Sequence, residues 1–269
     1  MNPSLLTPDL LSPGDQKSAA LDPAQFMWSR IRSADDPLFE TAYAALWAEF
    51  GAAHEMETRE VLAARFASPA MRSEMILARV GETIAAVRDQ TVMWFEGEIM
   101  VHLSHLLVAP EWRRSGLAGW MRAVAVLSAR AVASVQGKPD ANITLVGEME
   151  YDDGSDPRRS VRLLAYERAG FQKIDPRAVR YFQPDFRPHS EIDAQGGARP
   201  LPFQVILRRV GRETESTVNG TDVRRIVRAL DAMYGAQFRS GDMAHPALRL
   251  DAYPPENAEV ALIAPTDVR

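Results

Sequence analysis

The sequence predicts an α/β fold, and three patterns in the 269-residue chain indicate it. A strand-like run at 100–108 breaks at Pro110, and apolar residues recur at helical spacing from Leu117 onward. Two further strand-like runs, 74–80 and 83–95, precede it along the chain. Amphipathic helices are predicted on both sides of this block, so helices and strands share one domain.

The N-terminal part predicts an irregular arm followed by two helices. Four prolines lie among Ser, Asp and Gly in the first 24 residues, and we place an irregular arm at 1–34. Asp36 and Pro37 suit the N-cap and first turn of a helix that ends before Gly51. A second helix is expected around 58–66.

The C-terminal half predicts further strands, a helix that carries Tyr166, and a last amphipathic helix. Strands are expected at 143–149, 179–182 and 203–210. The final helix starts near Asn219 and has six apolar residues on one face: Val223, Ile226, Val227, Leu230, Met233 and Tyr234. That face is buried either on the domain or in a homodimer. We therefore divide the chain into the arm, a domain at 35–214, and a C-terminal helical extension and tail at 215–269.

Composition restricts the class of protein. The chain is 46% hydrophobic and 25% charged, as soluble globular proteins are, and its net charge of -5 argues against a general nucleic-acid binder. The absence of cysteine excludes disulfides, thiolate nucleophiles and Cys-based zinc sites. The first residues lack a secretion signal and no apolar run reaches the roughly 20 residues of a membrane span. We expect a cytoplasmic enzyme without a membrane partner.

The turn between the strand at 100–108 and the following helix has the features of an anion site. Small residues at Ser115, Gly116 and Ala118 leave backbone N–H groups uncovered at a helix N-terminus, where the helix dipole favours an anion. Arg113 and Arg114 can add charge-assisted contacts to phosphate oxygens.

The motif at this turn resembles the acetyl-CoA signature of the GNAT superfamily of N-acetyltransferases. That signature ends its strand in Leu-x-Val-x-Pro, which Leu106, Val108 and Pro110 match. Its loop, Arg/Gln-x-x-Gly-x-Gly/Ala, is matched from Arg113 through Ala118. A later stretch with Tyr166 followed by Gly170-Phe171 looks like the family's second motif, and the two together are more specific than either alone. The resemblance is close over 100–171 and extends over about 35–211.

The resemblance implies a GNAT-like fold, with a mixed, mostly antiparallel central sheet flanked by helices, and acetyl-CoA as acyl donor. Backbone groups at Leu106, Leu107 and Val108 would pair with the pantetheine arm. The turn would hold the pyrophosphate through Arg113, Arg114, Ser115, Gly116, Leu117, Ala118 and Gly119. Tyr166 would be the general acid for the departing thiolate. The acceptor would be a primary amine on a small molecule or a protein.

The general base has several candidates. His102 lies six residues before Val108, where several superfamily members carry a catalytic Glu or His, and an imidazole suits proton transfer near neutral pH. Strand alternation places His102, Leu106 and Val108 on one face and His105 on the other, which makes His105 the weaker candidate. Glu148 and Glu150 share a face of the next strand and could act as base or anchor a cationic amine. No spacing typical of a metal site is present, so no metal is expected.

Two functions of different classes follow. The first is an N-acetyltransferase that moves an acetyl or short acyl group from acetyl-CoA to a primary amine by direct attack on the thioester. The alternative is a non-catalytic acyl-CoA-binding regulatory or partner-docking protein, which would need the turn but neither His102 nor Tyr166. An enzyme that makes an acyl-homoserine-lactone type of signal is disfavoured by the loop motif.

Overall fold

The computed structural model describes residues 1–69, 71–245, 249 and 253–267. The chain forms two compact units, Met1–Ile143 and Thr144–Arg269. The limits expected for the arm, domain and extension stay predictions. Residues 246–248, 250–252 and 268–269 of the expected extension lie outside the described part.

The first unit contains a four-stranded antiparallel meander. Its strands are β1 (Met27–Ile31), β2 (Arg72–Val80), β3 (Thr83–Phe95) and β4 (Glu98–Val108), and each pairs with the next along the chain. The predicted runs at 74–80, 83–95 and 100–108 are therefore strands. β1 was not predicted, since its five residues lie within the expected irregular arm.

Three α-helices pack on this meander: α1 (Phe39–Phe50), α2 (Arg59–Ala67) and α3 (Leu117–Val135). Neighbouring residues of β3 show that α2 and α3 lie on opposite faces, because successive strand side chains alternate. Asp89 faces Arg65 of α2, with 3.8 Å between Oδ2 and Nη1. Gln90 faces Ser128 of α3, with 3.4 Å between Nε2 and Oγ. The core between the meander and α1 includes fully buried Phe39, Leu46 and Val87.

A β-bulge in β4 changes which residues share a face. Gln90 pairs with Leu103 and Arg88 with Leu106, so the single residue Asp89 lies opposite both Ser104 and His105. Directly paired residues point to the same face of a sheet. His105 therefore lies on the α2 face together with His102, whereas Leu106 moves to the α3 face. The expected alternation was wrong here, because an extra residue in one strand cannot be detected from that strand alone.

The N-terminal arm lies on α3 and is not an isolated tail. It is a series of short 3₁₀ turns, each with proline at its start, at Pro3–Leu5, Pro8–Leu10, Pro13–Ala20 and Pro23–Gln25. Leu6, Leu10 and Leu11 are buried. The indole N–H of Trp120 in α3 donates to the Leu21 carbonyl at 2.8 Å.

The second unit contains a separate set of antiparallel pairs. The strands are β5 (Ile143–Glu150), β6 (Gln172–Ile174), β7 (Tyr181–Gln183), β8 (Leu201–Arg209), β9 (Thr217–Asn219) and β10 (Glu259–Ile263). β8 pairs with β5, β6 and β7, and β10 joins β6 to β9. The helices are α4 (Pro157–Arg168), α5 (His189–Ala194), α6 (Gly220–Gly235) and α7 (Ser240–Met243).

The predicted fold class is confirmed, since antiparallel strands and helices alternate in the expected order in both units. The predicted last helix is α6, and its apolar face is buried within the chain itself, with Val223, Leu230 and Met233 fully covered. The described elements include no helix with the length and apolar character of a membrane span.

Candidate functional site

The turn before α3 has an unusual backbone. Arg114 adopts a left-handed conformation with φ 65°, and Gly116, the N-cap of α3, has φ 103°. A non-glycine residue in this region stores strain, which points to a local constraint. The first turn of α3 carries no acidic residue, so the positive end of this 19-residue helix has no acid of its own there.

Three backbone amides of this turn have no acceptor among the described residues: those of Arg114, Gly116 and Ala118. The intervening amides are used within the turn. The Ser115 amide donates to the Trp112 carbonyl, and the Leu117 amide donates to Ser115 Oγ at 3.2 Å. Every second amide of the turn is therefore available to an anion, which fits a pyrophosphate.

The two glycines of this turn make room for the arm. A Cβ added at Gly116 would lie 2.9 Å from the Ser18 Cα, and one added at Gly119 would lie 2.2 Å from Ser18 Oγ. The Gly119 amide is already bonded to the Gly116 carbonyl at 2.9 Å. The sequence analysis attributed small residues here to the approach of a ligand. The structure shows that Gly116 and Gly119 accept the close approach of Ser18, and the approach of a ligand stays a prediction.

A buried ion pair holds the arm in this position. Arg122 of α3 donates through Nε to Asp15 Oδ2 at 2.8 Å and through Nη2 to Oδ1 at 2.5 Å. The Asp15 amide in turn donates to Ser12 Oγ at 3.1 Å. Because Arg122 neutralises Asp15, the arm brings no unbalanced negative charge to the start of α3.

The basic residues of the turn and the end of β4 lie close together. Arg113 and Arg114 are both exposed, and Arg113 Nε donates to the Val108 carbonyl at 3.1 Å. Leu106, Leu107 and Val108 are half-buried and paired with β3. The predicted cofactor residues from Leu106 to Gly119 are thus contiguous at one end of the first unit.

His102 and His105 occupy different environments on the same sheet face. His102 is 2% exposed, and its Nδ1 lies 3.1 Å from Ser104 Oγ. His105 Nδ1 lies 2.9 Å from Asp89 Oδ1, and its Nε2 lies 2.7 Å from the Glu55 carbonyl oxygen. Both of these partners only accept hydrogen bonds, so both ring nitrogens carry a proton and His105 is an imidazolium.

The electrostatics of His105 agree with that assignment. Burial alone would lower the pKa of His105, but the carboxylate of Asp89 outweighs burial and raises it. Burial likewise opposes the charge of Asp89, while His105 and Arg65 together hold its pKa below the usual range. Arg65 also pairs with the buried Glu57. These four buried groups form a charge-balanced network.

In the second unit, Glu148 accepts two phenolic hydrogen bonds. Tyr181 of β7 donates to Oε1 at 2.6 Å, and Tyr234 of α6 donates to Oε2. Burial, followed by the charge of Glu148, raises the pKa of Tyr181 well above its ordinary value. Both oxygens of this predicted base are therefore engaged.

Glu150, two residues along β5, contacts α4 instead. Arg159 Nε lies 3.3 Å from Oε1, and Arg162 pairs with Oε2. Arg159 also pairs with Asp153 in the preceding loop. Arg159 and Arg162, at the start of α4, thus form an ion-pair network with Glu150.

Tyr166 lies on α4 and packs on Phe171, the last residue of its own motif. Its ring meets that of Phe171 edge to face, with 4.9 Å between centroids. The Phe171 amide donates to the Tyr166 carbonyl at 3.0 Å, which closes the helix end at Gly170. The motif therefore has a structural role, and Tyr166 is only half-buried, so its ring is also open to solvent.

Sequence reasoning did not single out four residues that have notable positions in the structure. Asp15 and Ser18 contact α3, and Asp231 and Tyr253 line a small cavity in the second unit. These residues lie outside the 35–211 stretch covered by the resemblance, and they carry no spacing that could have marked them. A cleft of about 430 Å³, lined in part by Tyr151, was also not predicted. The described residues include no cluster of three or more His, Asp or Glu side chains suited to hold a metal ion.

No family model and no curated protein matches the chain. Solved structures with a similar fold include a protein assigned as a GNAT-family acetyltransferase from Bacteroides thetaiotaomicron, with 15% identity over 68% of this chain and 86% of that one, and a TM-score of 0.44. An acyl-CoA N-acyltransferase from Pseudomonas aeruginosa has 16% identity, covers 68% and 99%, and has a TM-score of 0.39. A GNAT-family protein from Desulfovibrio desulfuricans has 17% identity, covers 69% and 99%, and has a TM-score of 0.37.

Proposed function

We propose that this chain is an acyl-CoA-dependent N-acyltransferase that transfers an acetyl or other short acyl group to a primary amine. The observation that carries this proposal is the set of amides at Arg114, Gly116 and Ala118, which have no acceptor in the described part of the chain. They lie at the positive end of α3 beside two exposed arginines, an arrangement suited to a pyrophosphate. The paired motifs at Arg113 and Tyr166 support the same function.

In this proposal the turn binds the donor's phosphates, and acetyl-CoA supplies the activated carbonyl. A general base takes a proton from the acceptor ammonium, and the amine nitrogen forms a bond to the carbonyl carbon as the C–S bond breaks. Tyr166 gives its proton to the departing sulfur. The acylated nitrogen then loses its second proton to restore the neutral phenol of Tyr166, and the proton held by the base leaves to solvent. The chain has no cysteine, so a cysteinyl acyl-enzyme is excluded and direct transfer is the simplest course.

The three base candidates differ in how they are held. Glu148 and Glu150 each accept hydrogen bonds at both oxygens. His102 is held through Nδ1, which lies 3.1 Å from the Ser104 hydroxyl, and imidazole is a side chain suited to proton transfer near neutral pH. We place His102 first, and Glu148 or Glu150 second. If His102 is the base, His102→Gln should remove the fall in rate at low pH. If Glu148→Gln or Glu150→Gln removed that fall instead, the substituted carboxylate would be the base.

Catalysis is tested with acetyl-CoA and a panel of primary amines, by following thiol release. Tyr166→Phe keeps the ring on Phe171 and removes only the acid, so we expect turnover to fall about 100-fold or more while CoA affinity stays within about twofold. Tyr43→Phe, which removes a phenol in the first unit, is the matched control and should keep full turnover.

The non-catalytic alternative gives a different result in the same assay. A binding protein would take up CoA but release no thiol with any amine in the panel. Equal turnover in Tyr166→Phe and the unchanged protein would show that Tyr166 is only a packing residue. Absence of CoA binding would contradict both functions.

A further inference from the structure

A small cavity in the second unit is bounded by tyrosines and one carboxylate. Tyr181 of β7 and two residues of α6, Asp231 and Tyr234, line it together with Tyr253. Its volume of about 20 Å³ is enough for one water molecule or one ammonium group. Asp231 and Tyr253 belong to the C-terminal extension, outside the stretch covered by the motif resemblance.

Two polar groups at this cavity lack a partner in the described part of the chain. Asp231 makes no hydrogen bond or ion pair with the described residues, although it is only half-exposed. Tyr253 is 6% exposed, and its hydroxyl forms no hydrogen bond in the same part of the chain. Buried polar groups are normally satisfied, so the buried Tyr253 phenol beside the half-exposed Asp231 carboxylate indicates a ligand that provides hydrogen-bond donors.

Two carboxylates act on the phenols of the cavity, while Arg224 donates to the backbone carbonyls of Tyr253 and Pro254. Burial raises the pKa of Asp231. Burial, then the charges of Asp231 and Glu148, raise the pKa of Tyr253 to about 12. Glu148 is bonded to two of the tyrosines that line the cavity, Tyr181 and Tyr234. A cation would relieve this field, and aromatic rings also attract cations through their faces.

We infer that this cavity binds a primary ammonium group, held by the Asp231 carboxylate and the Tyr253 hydroxyl among the rings of Tyr181 and Tyr234. A nitrogen next to a carboxylate stays protonated, and a protonated nitrogen is not a nucleophile. The bound group is therefore held as a cation. The inference concerns the second unit alone and does not depend on the proposed function.

The experiment is a calorimetric titration of the full chain, without any acyl-CoA, with 1,4-diaminobutane and with the amide of Nα-acetyl-lysine. These probes represent a free diamine and a protein lysine, and the tighter one identifies the source of the ammonium. We expect saturable binding of at least one probe and none of 1-butanol, which lacks the charge. Failure of both probes, or equal binding of 1-butanol, would overturn the inference and leave the cavity to water.

Variants locate the binding at this cavity. Asp231→Asn should weaken binding at least tenfold, Asp231→Glu should retain most of it, and Tyr253→Phe should weaken it by a smaller factor. Asp222→Asn is the matched control, since Asp222 lies on the same helix and pairs with Arg225 instead. Equal affinity in Asp231→Asn and Asp222→Asn would place the probe elsewhere. CoA binding is measured separately, so failure of the proposed function remains distinguishable.

Discussion

His105 illustrates how single contacts decide the state of a side chain. An isolated strand histidine suggests either a base or a packing residue, and its sequence position cannot separate the two. In the structure, the Asp89 carboxylate and the Glu55 carbonyl each require a proton from the ring. His105 is thereby a fixed cation of the core, and it cannot accept a further proton. The Nδ1 of the neighbouring His102 instead lies 3.1 Å from the Ser104 hydroxyl.

This assignment predicts how stability depends on pH. The folded-state pKa of His105 is raised above its unfolded value of about 6.5, so its contribution is complete below that value and is lost as pH rises through the folded pKa. Asp89 has a lowered pKa, and its contribution is lost only as pH falls through that folded value. The free energy of unfolding in urea should therefore fall as pH rises above about 6.5.

Two variants test that dependence. Asp89→Asn removes the partner and should cost about 3–5 kcal/mol near neutral pH, as broken buried pairs do, and flatten the pH dependence. His54→Asn is the control, because His54 is exposed and Asn tolerates its left-handed backbone. The same slope in Asp89→Asn and the unchanged protein would contradict the assignment.

At the scale of elements, the arm and α3 depend on each other. Their contact joins residues about a hundred positions apart, through Asp15 with Arg122 and Ser18 with Gly119. Local patterning predicted the helix, and composition predicted an irregular arm. Neither contains information on which distant segment covers which face. The β-bulge at Ser104 and His105 escaped prediction for a related reason, since it exists only in the pairing of two strands.

A double-mutant cycle measures the contact between the arm and α3. Gly→Ala inside a helix ordinarily stabilises it by about 1 kcal/mol. Gly119→Ala should instead destabilise the protein by about 1–3 kcal/mol, because the new methyl overlaps Ser18. Ser18→Gly should remove much of that cost, giving a positive coupling in urea unfolding.

A glycine without neighbours provides the comparison. Gly235 ends α6, and a Cβ there would meet no atom within 4 Å. Gly235→Ala should therefore be neutral or stabilising. If Gly119→Ala behaved like Gly235→Ala, the arm would not pack on α3 in solution.

At the scale of the whole molecule, the order of the elements was predictable, but the last two strands, β9 and β10, were not. Long periodic segments such as α3, α6 and β3 are visible in sequence because many residues repeat one pattern. β9 and β10 have three and five residues, too few to show a period. β10 nevertheless pairs with β6, with Leu262 opposite Ile174, and with β9, so these two strands belong to the sheet of the second unit.

Only part of the candidate site could be located from the sequence. The turn from Arg113 to Gly119 could be located because its motif is contiguous. The phenols on Glu148 and the arginines on Glu150 could not, since each comes from another element of the fold. The cavity at Asp231 combines a strand, a helix and the segment at Tyr253, which no single pattern connects.

The central claim, that the start of α3 binds the donor's pyrophosphate, is tested most directly by calorimetric titration of CoA into Ala118→Asp. An acid in the first turn favours the helix, so the variant should fold at least as stably as the unchanged protein. The same charge would repel phosphate, and we predict a loss of CoA affinity of about tenfold or more. Ala118→Asn, of equal size without the charge, should stay within about threefold. Equal CoA affinity in the two variants would contradict the claim.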